Sequence, residues 1–429
     1  MTNTLASGLK HASVNFETLH KNYHPMLALV KELIGVVPAC DPILEIWPTG
    51  FRTYNILVPN MFNLPNTIFG KKSFKASMGL AMYTSSRAAE CPYCSAHTCS
   101  FALRRGASIE AITGNYSPKE QAIVAMAEGL SRVPVELSLT QCNSMSEYFS
   151  PSEVESIVYS ISMMGFLNKF MDAIGVELEQ EAINDTADII SKTGWKPGKH
   201  VNGTYKITEK TTLKSDNLLT YLRVIRQAPG AVRLEKKWTR DVPASYPQAT
   251  EYLQKNTGHS FPILKNIAQP RVIRALTTVL RDNLNQEVTE VGLIIKNLAG
   301  YVFSRVVSND ILSAEVRSII MNFAPDLGNE IFETLNQIVR MKMPTDVKSC
   351  KELMASLQKH SAISEKDAAV ILLARAASPS PASVNEAVIE TTTPHLTPAG
   401  IVEIIVWLSV LQLLHRLGSY YALVNHSDA

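Results

Sequence analysis

Apolar residues recur along this chain at helical spacing far more often than in alternation, and most such runs open on a recognisable start signal. Ser117-Pro118-Lys119-Glu120 joins an N-cap serine, a proline at the first helical position and a capping-box glutamate, and Ala122 to Leu130 follows with one apolar face. Ser150-Pro151-Ser152-Glu153 repeats the device ahead of Val154 to Ile174. Ser364-Glu365-Lys366-Asp367 does so before Ala368 to Ala377, and Leu396-Thr397-Pro398 before Ile401 to Leu417. Phe74 to Ala89 also reads as helix, and His24 to Leu64 as helices broken at Pro38, Pro42, Pro48 and Pro59.

The paired start signals are offset by 247 residues, and the register holds from Ser117–Phe170 to Ser364–Leu417, which suggests an internal duplication. Lys192 to Ser245 is rich in charge and turn residues, including Trp195-Lys196-Pro197-Gly198 and Asn202-Gly203. Within it Tyr205 to Thr212 alternates and predicts a short extended piece. The expected organisation is a helical domain over 1–191, a linker over 192–245 and a second helical domain over 246–429, all-α throughout.

Composition narrows the function classes. With 41 Lys and Arg against 39 Asp and Glu, the formal charge of +2 gives no footprint for nucleic acid. Residues 1–25 show neither a secretory nor a transit signal, so the expected compartment is the cytoplasm. Ile401 to Leu417 is apolar but carries Glu403 and His415-Arg416 and falls short of the ~20 residues of a span, so it predicts a buried core helix and no membrane partner. Six cysteines are too sparse for a disulfide framework, yet Cys91, Cys94 and Cys99 share nine residues.

That cluster carries the candidate chemistry. In Ser86-Arg87-Ala88-Ala89-Glu90-Cys91-Pro92-Tyr93-Cys94-Ser95-Ala96-His97, the proline suits a first helical turn and puts Cys91 near the N-cap. The helix dipole there favours a thiolate, which predicts a lowered cysteine pKa. Cys91, Cys94 and His97 are three apart and share one face, so a dithiol stands beside a base. Core packing and zinc binding by Cys91, Cys94, His97 and Cys99 compete with this reading, but zinc sites usually draw ligand pairs from two segments. No metal or cofactor is expected.

The Cys91-x-x-Cys94-x-x-His97 run, with the helix before it and Ala102 to Gly106 after it, resembles the carboxymuconolactone decarboxylase and alkylhydroperoxidase D-like superfamily. The resemblance extends more weakly over about residues 20–180, and the C-terminal half looks like a degenerate second copy. It implies an all-helical fold in which Cys94 attacks a small hydroperoxide, Cys91 resolves the sulfenic acid, His97 relays protons and an external dithiol restores the pair. The family's relay glutamate would fall at Gly79, which cannot move a proton; Glu90 is a substitute, and Ser86 and Tyr93 offer hydroxyls to the same pocket. Met163, Met164, Phe166 and Phe170 are candidates for either the pocket wall or the core. In the second half only Cys350, with Met341, Met343 and Pro344, stands near the aligned region, so that copy is expected to be structural. The resemblance also implies association of copies through helical surfaces. Two other readings stay open: a helical scaffold with a relic dithiol, and a decarboxylase-like enzyme acting on a small molecule.

Overall fold

A computed structural model describes residues 3–209 and 215–425, and its described residues form helices joined by turns, with no strand among them. Helices of seven residues or more are α1 (Phe16–Ile34), α2 (Pro48–Met61), α3 (Lys72–Ala88), α4 (Pro92–Arg104), α5 (Pro118–Ser131), α6 (Leu139–Ser146), α7 (Pro151–Ile174), α8 (Gln180–Ile190) and α9 (Leu218–Trp238). There follow α10 (Tyr246–Thr257), α11 (Pro270–Asn283), α12 (Leu293–Val306), α13 (Asp310–Phe323), α14 (Glu330–Arg340), α15 (Val347–Leu357), α16 (Glu365–Ala377), α17 (Glu386–Thr392) and α18 (Pro398–Asn425).

The start signals act as their chemistry requires. Ser117, Ser150 and Ser364 each accept a hydrogen bond from the backbone N–H three residues on, and Glu120, Glu153 and Asp367 each reach back to the cap. Three readings change. Pro59 does not break a helix but lies inside the last turn of α2. The apolar C-terminal helix runs to 28 residues, long enough by length and composition to cross a membrane, but 89% of its most apolar window is buried inside the fold. Glu403 within it is itself fully buried, accepting from Lys296 Nζ at 2.9 Å and from the N–H groups of Glu290 and Val291. The third change lies in the expected linker, which holds α9: Asn217 caps it by accepting from the Thr220 N–H, and Val224 and Ala231 bury against α1. Its many charges and Pro229 mask this helix in the sequence. The expected extended piece at Tyr205–Thr212 is not a strand over 205–209, and its remaining residues lie outside the described ones.

Two sets of helices pack in the same way. α3 lies against α4, α5 and α7, while α12 lies against α13, α16 and α18. α7 packs along α18 and α2 along α11, so the core is continuous between the sets. The α3–α4 and α12–α13 turns share their backbone path. Ala89 and Val307 close the first helix at φ, ψ of −83°, 1° and −82°, 4°; Glu90 and Ser308 are left-handed at φ 51° and 55°; Cys91 and Asn309 then open the next helix at −101°, 98° and −111°, 98°. By that shared path Asn309, Leu312 and Glu315 stand in α13 where Cys91, Cys94 and His97 stand in α4.

Gly79 is where α3 touches α4: a Cβ there would lie 2.6 Å from Ala102 Cα. Backbone cannot yield as a side chain can, so Gly79→Ala is expected to cost about 1–3 kcal/mol through overpacking, read as a lower urea midpoint at unchanged slope. A longer acid at this position would clash far more.

Candidate functional site

Ser86 closes the turn into α4, its carbonyl accepting from the Cys91 N–H at 3.1 Å. Cys91 occupies the N-cap and its Sγ accepts from the Cys94 N–H at 3.4 Å, the place a cap oxygen would take. Ser95 Oγ ties to the Cys91 carbonyl and Thr98 Oγ1 to the Cys94 carbonyl, which fixes the first turn of α4. Cys91, Cys94 and His97 are all buried, at 0%, 4% and 8% exposure. All six cysteines are free thiols.

Cys94 and His97 line a cavity of about 80 Å³ whose apolar wall includes Val58, Phe62, Met82, Phe101 and Met164; Tyr54, Tyr93 and Thr98 add polar atoms. Cys91 does not line it, lying one turn back. Val30, Leu33, Val58 and Leu64 separate this cavity from a second of about 150 Å³, which extends beneath α9 to Phe69 and Val232. Of the four large residues proposed as wall or core, Met164 lines the cavity, whereas Met163, Phe166 and Phe170 are wholly buried core.

The acid that orients the histidine is Glu179, just before α8. Its Oε2 lies 2.8 Å from His97 Nε2, and its Oε1 accepts from Tyr93 Oη at 2.8 Å and from the Ala39 N–H at 2.6 Å. Burial pushes this carboxyl up, but His97 and the converging donors outweigh it and the net shift is downward, so it stays ionised. A carboxylate at Nε2 takes the N–H there and leaves Nδ1 as the basic nitrogen; Nδ1 is buried without a partner. Asp41, fully buried nearby, is pushed well above the usual carboxylate range by burial, then by Glu179 and Glu45.

The remaining expected residues fall differently. Tyr93 packs against His97 at 4.6 Å between ring centroids, the rings tilted by 48°, and joins the Glu179 cluster. Ser86 donates to the Met82 carbonyl and accepts from Thr98 Oγ1 at 3.4 Å, and does not itself line the cavity. Glu90 is exposed in its left-handed turn and makes no relay. The expected fall in thiol pKa is not met at Cys94. Burial pushes that thiol well above its ordinary value, with Cys91, Asp172 and Cys40 adding to the rise, so it rests as a neutral thiol. A helix dipole does not offset full desolvation here. Glu179 left no local signal: it is 82 positions from His97, one of 39 acids in the chain. Among the described residues no group of three or more His, Cys, Asp or Glu is arranged to hold a metal ion.

No protein-family model matches the chain, and no curated protein matches it. Among solved structures, the crystal structure of the debrominase Bmp8 in its apo form matches at a TM-score of 0.31 and 18% identity, covering 41% of this chain and 96% of that one.

Proposed function

We propose that this protein is a thiol-dependent oxidoreductase that reduces small hydroperoxides, a degenerate tandem duplicate on the alkylhydroperoxidase D-like pattern. One observation carries the reading: Cys94 and His97 share the wall of one apolar cavity, and Glu179 holds His97 with its Nδ1 free to act as base. His97 takes the Cys94 proton and the thiolate attacks the peroxide. An S–O bond forms as the O–O bond breaks, and the alkoxide leaves as alcohol with the proton from His97. Cys91 then attacks the sulfenic sulfur, forming the disulfide and releasing water, and an external dithiol resets the pair by exchange. A base is needed because the resting thiol is neutral. The duplication is supported by the matching turns at Cys91 and Asn309 and the matching helix packing.

The test is cumene hydroperoxide consumption with dithiothreitol as reductant. Cys94→Ser is expected to lower it to the uncatalysed rate, while Cys91→Ser, pre-reduced and assayed without dithiothreitol, gives one turnover that stops at a dimedone-trappable sulfenic acid. Wild-type turnover in Cys94→Ser would remove the assignment. The rival scaffold reading draws on the buried thiols and the raised Cys94; it predicts that mild oxidation leaves the mass of the peptide holding Cys91 and Cys94 unchanged, whereas a disulfide removes two hydrogens.

A further inference from the structure

We propose that the outer face of α9 is a docking surface for an anionic lipid membrane, on which the helix lies in the plane of the headgroups. Leu218, Leu222, Ile225 and Val232 are exposed at 74%, 54%, 56% and 45%, and they follow one another at i, i+4, i+7 and i+14. At that spacing they form one stripe along α9, about 21 Å long. The stripe points away from the fold, because Val224 and Ala231 on the opposite face are the residues that bury against α1. α9 therefore carries an apolar face on each side, and water meets one of them. Exposed Phe69 stands beside it, its ring centroid 5.7 Å from that of Tyr221.

Charge identifies what covers this face. Arg223, Arg226, Arg233, Lys236 and Lys237 are all exposed on α9, although the whole chain carries only +2. The acid of the helix, Glu235, accepts from buried Asn60 Nδ2 at 2.7 Å, and Glu32 on α1 reaches Arg223 at 3.7 Å. An apolar stripe bordered by cations is the pattern of a helix that lies in the interface of an anionic bilayer. Each cation near such a surface raises affinity about fivefold. A two-fold contact between copies of the chain would instead set these cations against each other. The contact is with a surface and is not a span: α18, the one described helix long and apolar enough to cross, stays buried. The inner side of α9 roofs the cavity of about 150 Å³ that adjoins the cavity of Cys94, through Val224, Ala228 and Ala231. A bilayer held on the outer face thus lies over the apolar space by which a hydroperoxide bearing an acyl chain reaches the thiol. That use rests on the proposed function; the docking does not.

The probe is a vesicle of phosphatidylglycerol and phosphatidylcholine, sedimented with the full chain. Saturable binding is expected, absent with phosphatidylcholine alone and weakened by about 1 M salt, where screening cuts the reach of a charge to about 3 Å. Arg226→Gln with Arg233→Gln is expected to weaken it about thirtyfold, and Leu222→Asp with Ile225→Asp to abolish it. All four side chains are exposed, so the far-ultraviolet circular dichroism should not change. Cys94→Ser should bind as the wild type does. Turnover of phosphatidylcholine hydroperoxide carried in these vesicles should fall with binding in the double aspartate variant, while that of cumene hydroperoxide stays. Failure of the wild type to reduce either hydroperoxide removes the proposed function and leaves the docking, which the vesicles alone decide. Absence of saturable binding to anionic vesicles overturns the docking, and so does equal binding by the double aspartate variant or to vesicles of neutral lipid. A chain that ignores vesicles but forms a dimer split by that variant would assign the stripe to a second copy instead.

Discussion

Glu179→Gln is expected to slow hydroperoxide turnover by about 10²–10³-fold, the range a positioned general base supplies, with KM little changed. Three donors converge on this carboxylate, from His97, Tyr93 and the Ala39 backbone. Glutamine offers one acceptor oxygen and an N–H₂ that must face one of those donors, so a pair of donors is left in opposition. The ring of His97 then loses both its fixed tautomer and the charge that stabilises its protonated form after it takes the thiol proton. The effect should appear in kcat, because nothing in the apolar wall of the cavity changes. A second readout does not need the substrate: alkylation of Cys94 by iodoacetamide reports its thiolate, and should slow about tenfold in the variant. Unchanged kcat together with unchanged alkylation would mean that Glu179 only ties α8 to α4.

The pattern of start signals made the scaffold readable because each is a local device. Ser117 with Glu120 and Ser150 with Glu153 need only three intervening bonds, and Pro92 with Cys91 likewise marks the head of α4. The thiol and imidazole positions follow from helical spacing for the same reason. What escaped depends on tertiary contact. Glu179 reaches His97 from a separate segment, and no spacing rule links them. Gly79 marks the opposite case: a resemblance placed an acid there, but the closeness of Ala102 admits only a hydrogen. Helix α9 hid for a further reason, since much of its apolar surface is not buried; Leu218, Leu222, Ile225 and Val232 are exposed, so its pattern follows no core-facing stripe. The Cys94 pKa departs from the sequence expectation because desolvation is a property of the whole surroundings, whereas the dipole is visible in the sequence.

The end of the apolar C-terminal helix holds the other large effect. In the sequence Arg416 reads as a charge closing an apolar run, yet it is 1% exposed and reaches into the first set of helices. Its Nη1 donates to Ser85 Oγ at 2.7 Å and to the Ile161 carbonyl at 2.8 Å, and its Nη2 to the Ser131 carbonyl, at the last residue of α5. Lys169 on α7 does the converse, donating to the Ala377 and Ser378 carbonyls where α16 ends. Each long central helix therefore sends one cation to the negative end of a helix in the other set. Gly165 makes room for this, since a Cβ there would lie 2.9 Å from Arg416 Cδ. Burial pulls Arg416 down to about 9, which keeps it cationic at neutral pH. Arg416→Ala empties this space and strands the buried Ser131 carbonyl at the end of α5, so a loss of about 3–5 kcal/mol is expected, a large share of the roughly 5–15 kcal/mol that holds a fold together. Arg416→Lys retains the charge without the forked donors and should fall between the two. Urea unfolding followed by tryptophan fluorescence gives the comparison, and the crossed cations require that both sets of helices unfold in one transition. A midpoint shift worth less than about 0.5 kcal/mol, the range of an ordinary surface change, would show that the two sets do not depend on this contact.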